Sequence, residues 1–347
     1  MVAVRQICGP SGSGLTRALE QLYRDTPGAA MLTSDPRAHI TFLRSTVAEE
    51  LAFGLEQRGI APEIMRQRVA EIAQALGLSG LLERTPTALS GGQTRRLAIG
   101  AVAIIGAPTL LLDDPFSGLD IVAQKLLEDM LRSYPGEVII ASHRPWLDAP
   151  TTYLGAAEEL RLPLQVEGER AAVEFSSVLG TRGHAHRKWW QFSKPAPQFT
   201  VGPVDLTVLT GEVLWLKGAN GSGKSTLMRA LANFPDTSLM LQDPVDQVID
   251  STVSSWIPGS DCEEHPLDLS QRDLRLAQCD AALAANPTVL LVDEPDVGLD
   301  TGGRSALHHK FAQFLSHGAI ILCCHDASFI TEMSTYTQVK EQEISEL

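Results

Sequence analysis

The sequence predicts an α/β protein built from two tandem copies of one domain, each a mostly parallel sheet flanked by helices. Three observations carry this. One ordered series of short motifs occurs twice in 347 residues. Each copy opens on a glycine-rich loop placed between an apolar run and a helix. The apolar runs are continuous rather than alternating, which suits parallel strands covered on both faces.

The repeat comes first, because it sets the domain count. Asp35-Pro36 recurs as Asp243-Pro244, and the glycine loop at Gly9 recurs at Gly218 with nearly the same offset. Ser90, Asp113 and Asp120 recur at Ser270, Asp293 and Asp300, all displaced by 180, and His143 recurs as His325. Two homologous domains match the usual domain length of about 100–200 residues. The offset falls by 28 between the Asp-Pro pair and the serine, so the second copy lacks about that many residues there. The reading places the first domain at 1–170, a linker at 171–186 where Gly, His and Arg cluster without periodicity, and the second domain at 187–347.

Val2–Cys8, Thr109–Asp113 and Glu137–Ala141 read as strands in the first copy. Glu212–Lys217, Thr288–Asp293 and Ala319–Cys324 do so in the second, with an irregular or β-rich lead-in at Pro195–Asp205. Thr46–Arg58 opens on a capping-box pattern, TVAE, and Pro62–Leu76 is amphipathic, so a helical subdomain is expected in the first copy. The corresponding stretch of the second copy is short and not convincingly helical.

Composition bounds the function. With 44% hydrophobic residues each half can form a core. A net charge of −14 argues against a nucleic-acid groove, which needs clustered Lys and Arg, so no nucleic-acid partner is expected. No apolar run reaches the ~20 residues of a transmembrane helix. The first residues run straight into a strand and glycine loop, so no signal peptide is expected. The five cysteines show neither metal nor disulfide spacing and read as buried thiols of a cytoplasmic protein.

The second loop, Gly218–Thr226 (GANGSGKST), has the frame of a phosphate loop. Gly218, Asn220, Gly221 and Gly223 let backbone N–H groups wrap phosphates, Lys224 can reach the β- and γ-phosphates, and Ser225, followed by Thr226, can ligate Mg2+. Asp293-Glu294 ends an apolar strand 69 residues after Lys224. There Asp293 can hold Mg2+ and Glu294 can activate water. His325, just past the next strand, can hydrogen-bond the γ-phosphate, although a lone histidine would be read as packing. Gln242, in LQDP, can touch Mg2+ or the attacking water, although a loop glutamine alone means little. The set is far more specific than its members.

LSGGQ at Leu89–Gln93, then apolar positions, a strand, Asp-Asp/Glu-Pro, Gly-Leu-Asp and a histidine, resembles the ATP-binding-cassette (ABC) superfamily over nearly the whole chain. The resemblance implies two tandem P-loop nucleotide-binding domains using ATP and Mg2+. Within it, TVAEELAFGLE at Thr46–Glu56 and LQDPVDQ at Leu241–Gln247 are similar to the ATPases of energy-coupling-factor importers for cobalt and vitamins. In that family two domains pair head to tail, each ATP lying between one phosphate loop and the other domain's LSGGQ. Pairing within this chain then gives one complete site: Gln242, Asp293, Glu294, His325 and the second loop against Ser90, Gly91, Gly92 and Gln93. The family's adenine-stacking aromatic falls on Phe192 or Trp190, with core packing or a linker anchor as the alternative.

The other pairing is degraded. The first loop keeps Gly9, Gly14 and Thr16 but has Leu15 in place of lysine. Asp113 and His143 remain, Asp114 replaces the glutamate, no glutamine stands at Ser34-Asp35-Pro36, and Ser270 is followed by Gln-Arg-Asp instead of Gly-Gly-Gln. The family's membrane-gripping segment is also unequal, with 53 residues between Pro36 and Ser90 but 25 between Pro244 and Ser270. The resemblance therefore implies the ATPase subunit of an importer on the inner face of the membrane, partnered by an energy-coupling transmembrane subunit and a substrate-binding subunit. Two alternatives remain: a soluble twin-cassette ATPase acting on the ribosome, disfavoured by the charge and by the lack of a long charged linker, and a regulatory pair with vestigial turnover.

Overall fold

The computed structural model describes residues 4–156, 158–167, 170–182, 199–218 and 221–344. They form two compact units, 1–158 and 159–347.

The first unit contains β1 (Val4–Cys8), α1 (Leu15–Asp25), β2 (Ala30–Leu32), α2 (Val47–Glu56), α3 (Pro62–Ala75), α4 (Gly91–Ala103), β3 (Thr109–Asp113), α5 (Ile121–Ser133), β4 (Glu137–Ser142) and β5 (Thr151–Tyr153). Its five parallel strands run β2-β3-β4-β1-β5. The expected helical segment is present. Thr46 caps α2 through a complete capping box with Glu49, so the TVAE signal is realised atom by atom.

The second unit contains β6 (Ala172–Arg182), β7 (Phe199–Leu209), β8 (Glu212–Lys217), α6 (Lys224–Leu231), β9 (Thr237–Met240), α7 (Val253–Trp256), α8 (Gln271–Ala284), β10 (Val289–Asp293), α9 (Thr301–Leu315), β11 (Ala319–Cys323), α10 (Ala327–Met333) and β12 (Gln338–Glu343). Its parallel sheet runs β9-β10-β11-β8-β12, the first unit's order strand for strand. The segment before the second signature contains one α-helical turn, α7, among its described residues, where the first unit has α2 and α3.

Both sheets are covered on two faces, and successive apolar residues of each strand enter opposite cores. In β3 and β4, Leu110, Leu112, Val138 and Ile140 enter one core while Leu111, Ile139 and Ala141 enter the other. In β10 and β11, Leu290, Val292, Ile320 and Leu322 oppose Val289, Leu291, Ala319 and Ile321 in the same way.

The division between units differs from the expected one. Of the expected linker 171–186, Ala172–Arg182 is strand β6, paired antiparallel with β7, and residues 183–186 lie outside the described residues. This hairpin braces the intact glycine loop. A Cβ on Gly223 would come within 2.9 Å of the Phe199 ring and of Val201, and one on Gly180 within 2.9 Å of the Thr226 carbonyl.

Candidate functional site

The two glycine loops share one backbone. Gly12 and Gly14 take φ of +77° and +88°, and Gly221 and Gly223 take +89° and +95°, a region that favours glycine. Gly14 and Gly223 each stand immediately before a helix, α1 and α6. A Cβ on Gly9 would sit 2.4 Å from the Leu154 carbonyl oxygen, and one on Gly218 would sit 2.6 Å from that of Ile344. The phosphate-cradling frame therefore persists in both copies. Asn220 lies outside the described residues, as do Trp190 and Phe192.

The copies part at the first helical residue. Lys224 is 9% exposed, and its Nζ donates to the Gly218 carbonyl at 2.7 Å. Leu15 is 7% exposed and packs with Leu19, Leu111, Ile139 and Ala141. The lysine position of the first copy has become part of a core. The Gly9 carbonyl instead meets His143 Nδ1 at 3.2 Å; a carbonyl only accepts, so Nδ1 carries the hydrogen.

At the strand ends the copies agree again for one residue. Asp113 and Asp293 are both buried. Thr16 Oγ1 donates to Asp113 Oδ2 at 2.8 Å, and the Ser225 hydroxyl bonds Asp293. Burial pushes both carboxyls above the usual range, and these hydroxyl bonds oppose it. A hydroxyl and a carboxylate oxygen beside a phosphate loop are the hard donors that Mg2+ takes, so the residues fit that ion.

The next residue divides them. Glu294 and Asp114 both have left-handed backbones, φ 48° and 46°, held by N–H bonds of 2.8 Å to Cys323 and Ala141. Glu294 receives Gln242 Nε2 on Oε2 at 2.7 Å, and His325 Nε2 lies 3.3 Å from Oε1. Burial pushes its carboxyl up to about 8, with Asp293 and Asp296 adding and Lys224 and Arg275 opposing. A carboxylate so flanked can accept a proton from water. Asp114 is a methylene shorter, the position matching Gln242 is Ser34, and the matching histidine bonds Gly9.

The loops carrying Ser34 and Gln242 are 3-10 turns over Pro36–His39 and Pro244–Gln247, capped by the Asp35 and Asp243 side chains. Reading the sequence missed a residue that holds them. Arg95 and Arg275, each five positions past its signature serine, donate to the carbonyls of Ser34 and Gln242. Their recurrence at one spacing was the available signal.

The signature serines are both helix caps but differ in what they do with the hydroxyl. Ser90 caps α4 in a capping box with Gln93, each side chain accepting from the other's backbone N–H. A Cβ on Gly92 would lie 3.0 Å from the Gly118 carbonyl, a close approach that favours glycine there. Ser270 accepts from Asp273 N and also donates to Asp273 Oδ2 at 2.7 Å. Arg272, where Gly92 stands in the first copy, reaches Asp300 at 3.4 Å. Ser270, Arg272 and Asp273 thus each bond a group of their own unit.

The family model described as ABC transporter matches residues 3–117 and 201–247, spanning both phosphate loops and both aspartate-capped turns. Both units thus carry ABC transporter sequence. A Streptomyces coelicolor protein described as an ABC transporter ATP-binding protein is 26% identical over 86% of this chain and 75% of its own length. The molybdate/tungstate import ATP-binding protein of Pyrococcus horikoshii is 34% identical over 36% of this chain and 42% of its own. Among solved structures, the RNase-L inhibitor matches 98% of this chain and 83% of its own, with a TM-score of 0.62 at 17% identity, a likeness of fold. No helix among the described residues is long and apolar enough to cross a membrane.

Proposed function

We propose that this chain hydrolyses ATP at one composite site, formed by the second unit's phosphate loop and the first unit's LSGGQ, and drives an importer of the energy-coupling-factor type. The observation that carries the reading is the Gln242–Glu294–His325 cluster beside Lys224 and Asp293, set against Leu15, which is spent on core packing.

In this reading Glu294 accepts the proton of the attacking water, and Gln242 holds that water and the carboxylate in register. Lys224 and His325 stabilise charge developing on the γ-phosphate, while Ser90 and the backbone of Gly91 and Gly92, with Gln93, close the site from the opposing domain. Ser225, Asp293 and Gln242 would hold Mg2+, which neutralises phosphate charge when bound. The adenine rests on an aromatic of the 190–192 stretch. The first loop and Ser270 form a second, non-hydrolysing position.

The membrane partner is supported by two features. Import ATPases are among the relatives. The first unit also carries a hydrogen-bonded apolar projection ahead of α2. The buried Glu50 carboxylate accepts from Thr41 N at 2.7 Å and Thr41 Oγ1 at 3.0 Å, Phe42 turns with φ 55°, and Leu43 stands 84% exposed. Ile249, three residues before the cap of α7 as Leu43 is before that of α2, is 90% exposed, and Trp256 stands at the position of Glu50. An unequal grip on the transmembrane subunits follows, the first unit making the larger contact.

The test is affinity capture of the tagged full chain from detergent-solubilised membranes, paired with phosphate release. Co-purifying integral-membrane subunits with ATP turnover are expected. Co-sedimentation with ribosomes and no membrane subunit would replace this reading with the ribosomal one, and turnover at background would leave a regulatory pair.

A further inference from the structure

Signature helix α8 carries a buried cation outside every recognised motif. Arg275 is 2% exposed. Its Nη1 donates to the Leu241 carbonyl at 3.0 Å and to Gln278 Oε1 at 2.8 Å, and its Nη2 donates to the Gln242 carbonyl at 2.6 Å. Taking a guanidinium out of water costs several kcal/mol unless its donors are matched, and an apolar side chain would fill the same space without that penalty. Burial lowers its pKa to about 10 against the pull of Asp296, Asp243, Glu294 and Asp293, so it stays a cation at neutral pH.

What the fork grips is the backbone of the residue whose side chain bonds Glu294. The Leu241 peptide has other anchors: its carbonyl accepts from Gln278 at 2.9 Å, and its N–H reaches Gln247 at 2.8 Å. The turn is also held through Gln247, which accepts from Gln278, whereas the 2.6 Å bond from Arg275 falls on Gln242 itself. The first unit provides an internal comparison. There Arg95 makes its short bond, 2.7 Å, to the carbonyl of Asp114, and its contact to the Ser34 carbonyl is 3.4 Å. The tight grip coincides with the turn that has a glutamine to position.

We infer that Arg275 is a positioning residue that locks the Gln242 backbone so that its amide sits on Glu294. The inference rests on the reading of Glu294 as the catalytic carboxylate. A point-charge ammonium cannot span two carbonyls as a planar fork does, so lysine is not an adequate replacement. Misplacement by about 1 Å in such a cluster costs up to about 100-fold in rate.

The experiment compares the full chain with Arg275→Lys and Arg275→Met by steady-state ATP hydrolysis and by hydrogen–deuterium exchange without nucleotide. Expected are a kcat lowered by about tenfold or more, a KM for ATP within about threefold because the phosphate loop is untouched, and exchange faster by about tenfold confined to residues 241–247. Unchanged exchange in that turn overturns the inference. So does an unchanged kcat with the turn loosened, or faster exchange throughout the second unit with kcat and KM shifting together. A wild-type chain without turnover would remove the hydrolytic reading alone; the exchange pattern would still decide whether Arg275 holds the turn.

Discussion

Gln242 donates a 2.7 Å hydrogen bond to Glu294 across 52 residues of sequence, joining the aspartate-capped turn to the end of β10. The bond gives the two residues separable roles, one supplying a base and the other its geometry. Glu294→Gln is expected to lower kcat by about 10²–10⁴-fold, the usual contribution of a positioned general base. ATP binding, read with a fluorescent analogue, should persist because Lys224 and the loop are untouched. Gln242→Ala should cost less, about tenfold, as a loss of alignment. Retention of half the turnover by Glu294→Gln would remove Glu294 from the chemistry.

Leu15 and Lys224 start equivalent helices but answer to different forces. Leu15→Ala opens space among Leu19, Leu111, Ile139 and Ala141, and is expected to cost about 2–4 kcal/mol of stability. Turnover per folded molecule should be nearly unaffected. Lys224→Ala should show the reverse, a near-normal melting temperature with hydrolysis reduced by about 100-fold or more. A thermal melt alongside phosphate release checks both. Equal loss of activity at the two positions would end the one-site reading.

What the sequence made legible were features with a local physical cause. Thr46 and Ser90 each stand three residues before a side chain that can complete a capping box, and the glycines of both loops sit where left-handed backbone is needed. Strand β6 was hidden because its register shifts between Phe175 and Val178, with Ser177 at φ 53°, so the period-two signal breaks in the middle. Its partner β7 lies beyond an intervening stretch, so the pairing is not a local property. Arg275 was hidden because a charged residue past a degraded signature reads as solvated; only the turn folded against α8 shows it buried. Leu15 was read as the loss of a cation, and the structure adds what replaced it.

The serines of the two signatures should respond unequally to the same change. Ser90→Arg removes a cap and places bulk and charge where the composite-site proposal puts phosphate, so hydrolysis should fall to background. Ser270 already spends its hydroxyl on Asp273, so Ser270→Arg should cost about 1 kcal/mol as a lost helix cap and leave most of the turnover. Nucleotide titration adds a second check: two equally tight, equally hydrolysed ATP molecules per chain would contradict the asymmetry.

The last expectation concerns stability against pH and comes from α9 and α10. His308 is fully buried, 2.8 Å from the Tyr336 hydroxyl through Nδ1 and 2.9 Å from Glu332 Oε2 through Nε2. The neutral ring satisfies both when Tyr336 donates to Nδ1 and Nε2–H donates to the carboxylate. Burial lowers the His308 pKa; the bond to Glu332 opposes this, and Arg304 and His309 reinforce it. The unfolded chain therefore binds the proton more readily than the folded one. This contribution is complete above the unfolded value of about 6.5 and is lost as pH falls from there toward the folded value. His39, also lowered by burial, acts in the same direction. The His308 contribution should fall between pH 7 and pH 5.5, while Glu294, pushed up to about 8, contributes in the opposite direction over that window. His308→Gln should therefore lower stability at pH 7 and shift the pH slope of the melting temperature toward greater stability at low pH than in wild type. A slope identical to wild type would show that His308 does not titrate on unfolding.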